Sequence, residues 1–351
     1  MSLAEPRGGT LTVAVTGPTG SIGIALLRAL EKDDAVDRVI GMARRPFDPT
    51  EIGLHKTEYK QGDILDRESV DSVVADADVV VHLAFLIFGT PDEAHEVNLQ
   101  GSRNVFEATF EAGAKRLVYT SSVAAYGYHE DNPELLTEDV PARGTPEHYY
   151  SSHKADLEKM LANVSAPYDT EVYIFRPCIV AGPTALDLVE RIPYVQLSER
   201  IPEPVKKLVG TIPLLRPVVP DPGIPVQLVH EDDVASALTL AIQGEGRPGA
   251  YNLAGEGEVS IADIAHALGW YAIPIPELAV DATARIVSRF PMLPASASWV
   301  HALRVPVMMD CSKARAELGW KPEKNAMDTL SETIYAARVQ GLVPWRPRNV
   351  D

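Results

Sequence analysis

The chain has 351 residues, 46% of them hydrophobic, and carries a net charge of −17 with a pI near 5.0. That length supports a large buried core, and the negative charge repels polyphosphate backbones and anionic membrane surfaces, which excludes nucleic acid and membrane as partners. Cys178 and Cys311 stand far apart, so neither a disulfide framework nor a metal site is expected, and no run approaches the roughly 20 apolar residues of a membrane span. Residues 1–9 lack the apolar centre of a signal peptide and read as a loose tail, with the cytoplasm as the expected compartment.

The first element sets the frame. Val13-Ala14-Val15-Thr16 leads into Gly17-Pro18-Thr19-Gly20-Ser21-Ile22-Gly23, and an Ala/Leu-rich run at helical spacing follows through Leu30. The pattern predicts strand, tight turn and helix, a βα turn built to bind phosphate. Glycines let the backbone turn sharply, admit a pyrophosphate and bring helix and strand close. The helix N-terminus then offers free N–H groups and the positive end of its dipole.

Arg38–Ala43 reads as a second buried strand, ending in Arg44-Arg45. An acidic residue roughly 20 positions past the glycines binds the adenosine ribose, whereas arginine accommodates a 2′-phosphate, so NADP is favoured here with NAD as the alternative. A short strand over 55–61 precedes Gly62-Asp63-Ile64-Leu65-Asp66, where Asp66 is the expected N-cap of a helix over Arg67–Val74. Asp78–Ala84 is a nearly continuous apolar run, as a central strand buried on both faces should be, and His82 within it is expected to be a satisfied core histidine. A long helix is predicted from Val97 through Ala112, and a further strand from Arg116 to Thr120.

The chemistry is expected at the ends of the next two elements. The strand ends in Ser121-Ser122, and Tyr150-Ser151-Ser152-His153-Lys154 opens a helix continuing to Leu161. Spacing i, i+4 puts Tyr150 and Lys154 on one helix face. An ammonium near the phenol should lower its pKa from the reference near 10 and make it usable as an acid or base near neutral pH.

Together these residues resemble the extended or atypical branch of the short-chain dehydrogenase/reductases, the branch of NAD(P)-dependent epimerases, dehydratases and reductases. The resemblance covers roughly residues 11–260. It rests on Thr16-Gly17-x-x-Gly20-x-x-Gly23, Gly62-Asp63-Ile64-Leu65-Asp66, His82-Leu83-Ala84, Val97-Asn98-x-x-Gly101, Ser121-Ser122-x-x-x-Tyr126-Gly127, Tyr150-x-x-x-Lys154, Arg176-Pro177 with Gly182-Pro183, and His230-Glu231-Asp232-Asp233-Val234. It implies Tyr150 as catalytic acid or base, Lys154 lowering its pKa and holding the nicotinamide ribose, and Ser122 orienting the reacting oxygen. For the cofactor it implies Gly17, Thr19, Gly20, Ser21, Ile22 and Gly23 at the phosphates and Arg44 and Arg45 at the ribose. Asp63 and Ile64 would flank the adenine, with Leu83, Ala84, Asn98, Thr120, Tyr150, Lys154 and Pro177 along the remainder.

Departures bear on the substrate. Ser122 is followed by Val123-Ala124, where 4,6-dehydratases carry an Asp-Glu pair, and Ile179 replaces an Asn that contacts sugar nucleotides in many epimerases. The expected architecture is a doubly wound, Rossmann-type, mostly parallel α/β sheet with a smaller C-terminal substrate lobe. The dinucleotide-binding part spans 10–183 and 226–255, and the substrate lobe 184–225 and 256–345. The proline-rich stretch 184–225 and the apolar stretch 286–301 suit a fairly apolar metabolite. The leading expectation is hydride transfer between NADP(H) and a carbonyl or alcohol, in a homodimer packed through 98–112 and 150–161. The alternatives are a sugar or nucleotide-sugar epimerase with tightly held NAD, and a non-catalytic NADP-sensing protein.

Overall fold

In the computed structural model, residues 10–87, 89–190, 192, 195, 217–275 and 305–343 are described. Residues 1–9, most of the proline-rich stretch and all of 286–301 lie outside that set.

The apolar runs of the sequence form the middle of a seven-stranded sheet in the order β10-β6-β5-β4-β1-β2-β3, parallel throughout. Its strands are β1 (Leu11–Thr16), β2 (Val36–Ala43), β3 (Thr57–Gln61), β4 (Val79–His82), β5 (Arg116–Thr120), β6 (Glu171–Pro177) and β10 (Gly249–Leu253). Because side chains alternate along a strand, each central strand feeds two cores. Val13 and Val15 of β1, Val79 and Val81 of β4 and Val118 of β5 enter one core, with α1 (Ser21–Glu31) and the helix Glu231–Gln243. Ala14, Val80, Leu117 and Tyr119 enter the other, with α2 (Arg67–Val74), α4 (Ser102–Glu111) and α5 (Tyr149–Ser165). Helices on both faces explain why these strands are apolar throughout.

The expected elements are present with small shifts in bounds. Asp66 caps α2 by accepting from the amide of Glu68, as its position predicts. His82 is the satisfied core histidine, joined to Thr16 Oγ1 at 2.7 Å and Ser102 Oγ at 2.9 Å. The helix expected from Val97 is built differently. It begins as α3 (Pro91–His95), capped by Thr90, and passes through a π turn over Glu96–Gly101 before continuing as α4.

β6 and the helix Ala326–Val339 lie beyond the elements read from the sequence. A third core gathers Leu186, Val189, Leu228, Val259, Ile264, Trp270, Leu330 and Ile334 around the helices Ile261–Leu268 and Ala326–Val339. Short parallel pairs, β7 (Ile179–Ala181) with β9 (Leu228–His230) and β8 (Val218–Asp221) with β11 (Tyr271–Pro274), complete the described sheets. No helix among the described residues is long and apolar enough to cross a membrane.

Candidate active site

The sheet brings the residues singled out in the sequence to one edge, since they follow the carboxyl ends of parallel neighbours: Gly17 after β1, Arg44 after β2, Asp63 after β3, Leu83 after β4, Ser121 after β5. Open parallel sheets bind ligands along that edge.

Each glycine of the first turn has its own reason. Gly17 has φ +77°, and a Cβ there would lie 2.8 Å from the amide nitrogen of Ala84. At Gly23 a Cβ would lie 2.5 Å from the Gly17 carbonyl oxygen and 2.6 Å from Pro18, so α1 packs against the turn at backbone distance. Gly20 is different: the nearest atom to a Cβ there is 3.6 Å away, and its backbone is ordinary extended chain. It occupies the N-cap of α1, which has no side-chain cap and no acidic residue in its first turn. Asp66, His148, His230, Ser260 and Asn325 all cap their helices with side chains. The start of α1, lined by half-buried Thr19, Ser21 and Ile22, thus keeps its amides and dipole for an anion.

Arg44 and Arg45 are exposed, and neither guanidinium forms an ion pair among the described residues. Their backbone is fixed, because Gln61 Nε2 donates to the Arg44 carbonyl at 2.8 Å and the Tyr59 hydroxyl donates to the Arg45 carbonyl. One carboxylate oxygen of Asp63 accepts from the Leu65 amide at 3.0 Å, and Ile64 is buried against Gly101. Leu83 and Ala84, half-buried, close the turn from the β4 side. Asn98 is fully buried and holds the loop after β4: its Oδ1 accepts from the Leu86 amide at 2.7 Å and its Nδ2 donates to the Leu86 carbonyl at 3.0 Å. Pro177 ends β6.

Ser122, Tyr150 and Lys154 come together. Ser122 caps a 3₁₀ turn over Val123–Tyr126, accepting from the Ala124 amide at 3.2 Å, and its hydroxyl lies near enough to the Tyr150 phenol to lower its pKa. The neighbouring Ser121 hydroxyl donates instead to Glu158 Oε1 at 2.6 Å, and Glu158 is itself paired with Arg176 at 2.6 Å. Ser121 is therefore tied into a buried network, which leaves Ser122 as the serine nearer Tyr150. α5 starts one residue before Tyr150, capped by His148, whose ring lies 6.2 Å from that of Tyr150.

The acidity of the pair differs from the sequence expectation. Burial raises the Tyr150 pKa above its ordinary value; the nearby Ser122 hydroxyl works against that rise and the neighbouring Tyr149 adds to it. The expected depression by Lys154 is overruled because the ammonium donates to the Thr120 carbonyl at 2.9 Å and sits 5.9 Å from the Tyr150 ring centroid. Burial also pushes the Lys154 pKa down to about 7, opposed by the Glu158 carboxylate. An ammonium so readily discharged gives a phenol little Coulomb help.

Several residues of the site carry no signal in the sequence. Phe85, directly after Ala84, lays its ring 3.9 Å from Lys154 Nζ and meets Tyr150 edge-on at 5.4 Å. Tyr128 packs on His148 at 5.6 Å, and Tyr149 donates its hydroxyl to the Ile87 carbonyl. Only Glu158 could have been found, four residues beyond Lys154 on the same helix face.

The arrangement fits a dinucleotide. An uncapped helix start and a glycine open to an incoming group suit a pyrophosphate, and the two arginines, in no ion pair among the described residues, suit the ribose. The Thr120 hydroxyl, buried without a hydrogen-bond partner next to the lysine, offers a polar group for a ligand.

Comparison with known proteins agrees with this geometry. The profile of the NAD dependent epimerase/dehydratase family matches residues 13–254. An uncharacterized protein of Mycobacterium tuberculosis is 27% identical over 348 residues, which are 97% of this chain and 32% of that protein, so the chain spans about a third of its relative. Human 3 beta-hydroxysteroid dehydrogenase type 7 is 34% identical over 158 residues, 42% of this chain and 43% of that enzyme. Among solved structures, dTDP-glucose 4,6-dehydratase from Bacillus anthracis in complex with NAD superposes with a TM-score of 0.70 at 18% identity, covering 95% of this chain and 100% of that one. Sheet order, glycine turn and family profile agree: the chain belongs to the NAD dependent epimerase/dehydratase family of the short-chain dehydrogenase/reductases.

Proposed function

We propose that the protein is an oxidoreductase that moves a hydride between a nicotinamide cofactor, NADP in preference to NAD, and the carbonyl or alcohol carbon of a small, fairly apolar metabolite. The observation that carries this reading is that Ser122 comes close to Tyr150, with Lys154 one helical turn on, at the carboxyl edge of the sheet. Arg44 and Arg45, exposed and in no ion pair among the described residues, support NADP. Phe85, Tyr128 and Tyr149 around the phenol support an apolar substrate, as does the partial likeness to an enzyme named for hydroxysteroids.

When bound, the nicotinamide supplies or accepts the hydride. In reduction, Tyr150 Oη gives its proton to the carbonyl oxygen as negative charge gathers there, and the Ser122 hydroxyl hydrogen-bonds the same oxygen. The phenolate left on Tyr150 takes a proton back from solvent, while Lys154 holds the nicotinamide ribose. A phenol whose pKa is raised by burial stays protonated at neutral pH, which suits it to the reductive direction. We further propose a homodimer packed through α4 and α5.

Replacing Tyr150 by Phe tests the mechanism. With NADPH and a panel of apolar ketones and aldehydes, Y150F is expected to lose 10²–10⁴-fold in turnover, the typical contribution of a positioned proton donor, while binding NADPH as the wild type does. Unchanged turnover would remove Tyr150 from the chemistry. The family description also favours a second reading, an epimerase. Firmly retained NAD⁺ in the purified protein, resisting exchange, would move that reading to first place. NADPH binding with turnover in no redox or epimerase assay would favour a non-catalytic sensor.

A further inference from the structure

Lys154 is enclosed. The residue is 4% exposed, and one of its three N–H donors is spent on the Thr120 carbonyl. The rest of the ammonium faces aromatic rings: Phe85 at 3.9 Å, Tyr119 at 5.2 Å and Tyr150 at 5.9 Å to the centroids. A ligand hydroxyl can reach Nζ only if one of these groups leaves.

Three of the four are fixed. Thr120 ends a central strand, Tyr119 is 1% exposed within the core, and Tyr150 is held in the first turn of α5 against the His148 ring. Phe85, half-buried, is the one of the four that stands in a loop. Its main chain is fastened next door, where Asn98 grips both the amide and the carbonyl of Leu86, so the ring can leave Lys154 by turning about χ1 against the core it packs on, without the backbone moving.

We propose that the Phe85 ring is a stopper on Lys154, rotating aside when a dinucleotide's ribose hydroxyls take the ammonium, so that this one side chain sets cofactor affinity and couples cofactor entry to charging of the site. The inference rests on the dinucleotide reading given above. A ring over a desolvated ammonium is a favourable contact that entry must break, so the ring opposes binding.

The groups facing Lys154 fix the sign of the pH dependence. Glu158 and Tyr150 come from α5, Tyr119 from β5, and His82 from β4, its pKa held down to about 3 by burial with a further push from Lys154 itself. With its ammonium desolvated, Lys154 titrates near 7 in the free protein. Hydroxyls in place of the ring stabilise the charged form and raise that value, so binding takes up a proton between the two pKa values. Affinity therefore falls as pH rises above about 7.

The test is to titrate NADPH into the full chain and its F85A and F85L variants on either side of neutral pH, by nicotinamide fluorescence. Proton uptake is read by calorimetry in two buffers of different ionisation enthalpy. F85A is expected to bind about ten-fold tighter, about 1.4 kcal/mol, and to take up fewer protons. F85L, which keeps bulk without a π face, should fall between F85A and wild type. Weaker binding by F85A would overturn the proposal by making the ring a wall of the cofactor site, and so would unchanged affinity with unchanged proton uptake. Wild-type protein that binds neither NADPH nor NADH would instead overturn the dinucleotide reading, and the proposal with it.

Discussion

Gly20 and Gly23 belong to one turn but answer to different demands. A methyl group at Gly23 would drive into the Gly17 carbonyl at 2.5 Å, whereas at Gly20 it would meet nothing closer than 3.6 Å. Gly23→Ala is therefore expected to cost about 2–3 kcal/mol of stability through forced backbone movement, visible as a lowered melting temperature. Gly20→Ala should melt like the wild type yet lose NADPH affinity, because its Cβ stands where an anion would approach. Equal melting losses in both would mean that Gly20 also serves the fold. At this scale the sequence was legible wherever one element carries both partners. Tyr150 and Lys154 share a helix face, and Gly17, Gly20 and Gly23 share a turn. Phe85 was invisible because its contact with Lys154 joins a loop to a helix distant in sequence, and nothing in the pattern marks one phenylalanine among Phe85-Leu86-Ile87. The acidity of Tyr150 was misjudged for a related reason: helical spacing fixes where the lysine starts, not that its ammonium ends at the Thr120 carbonyl.

Among the elements, the central strands were the easiest to read, since burial on both faces leaves continuous apolar runs. Their entry points are fastened by Asp78, which precedes β4, accepts from the Thr12 amide at 2.9 Å and pairs with Lys115 at 2.8 Å, tying the amino ends of β1, β4 and β5 together. Burial alone would raise its pKa, but the hydrogen bonds from Lys115 and Thr12 outweigh it and hold the carboxyl below its usual range. Such a group stabilises the fold fully above its unfolded pKa, near 4, and the contribution is lost as pH falls through the lower folded value. Asp78→Asn should cost about 1 kcal/mol at neutral pH, allowing for solvent screening. The gap between the urea curves of variant and wild type should close in acid; a gap constant with pH would assign the effect to packing. β6 was harder to see, with Glu171 and Arg176 inside it and Pro177 at its end. The π turn over Glu96–Gly101 was harder still, because an extra residue per turn leaves the apolar spacing nearly helical.

At the scale of the molecule, the C-terminal segment is fastened to the sheet by buried polar contacts that composition does not reveal. Trp320, 1% exposed, donates to the Asp233 carbonyl at 2.9 Å, and the Asp233 carboxylate accepts from the amides of Glu323 and Lys324. Asn252 at the sheet edge reaches the carbonyls of Leu136 and Asp310. The overall architecture was legible because alternating strand and helix runs admit few topologies, while this closing strap depends on side-chain geometry between distant segments. Cys178, just past β6, and Cys311, in the strap, are both buried in the core that the two share. Burial pushes the Cys311 thiol up to about 12 and raises the Cys178 thiol well above its ordinary value, so neither is an effective nucleophile while the chain is folded. Thiol-reactive dyes should accordingly label both cysteines only through opening of that shared core, with equal rates that cofactor binding slows together. Faster labelling of Cys311 alone would show the strap peeling away first. The molecule thus carries a pair of silent internal probes, one on each side of its seam, that report its breathing without any engineered label.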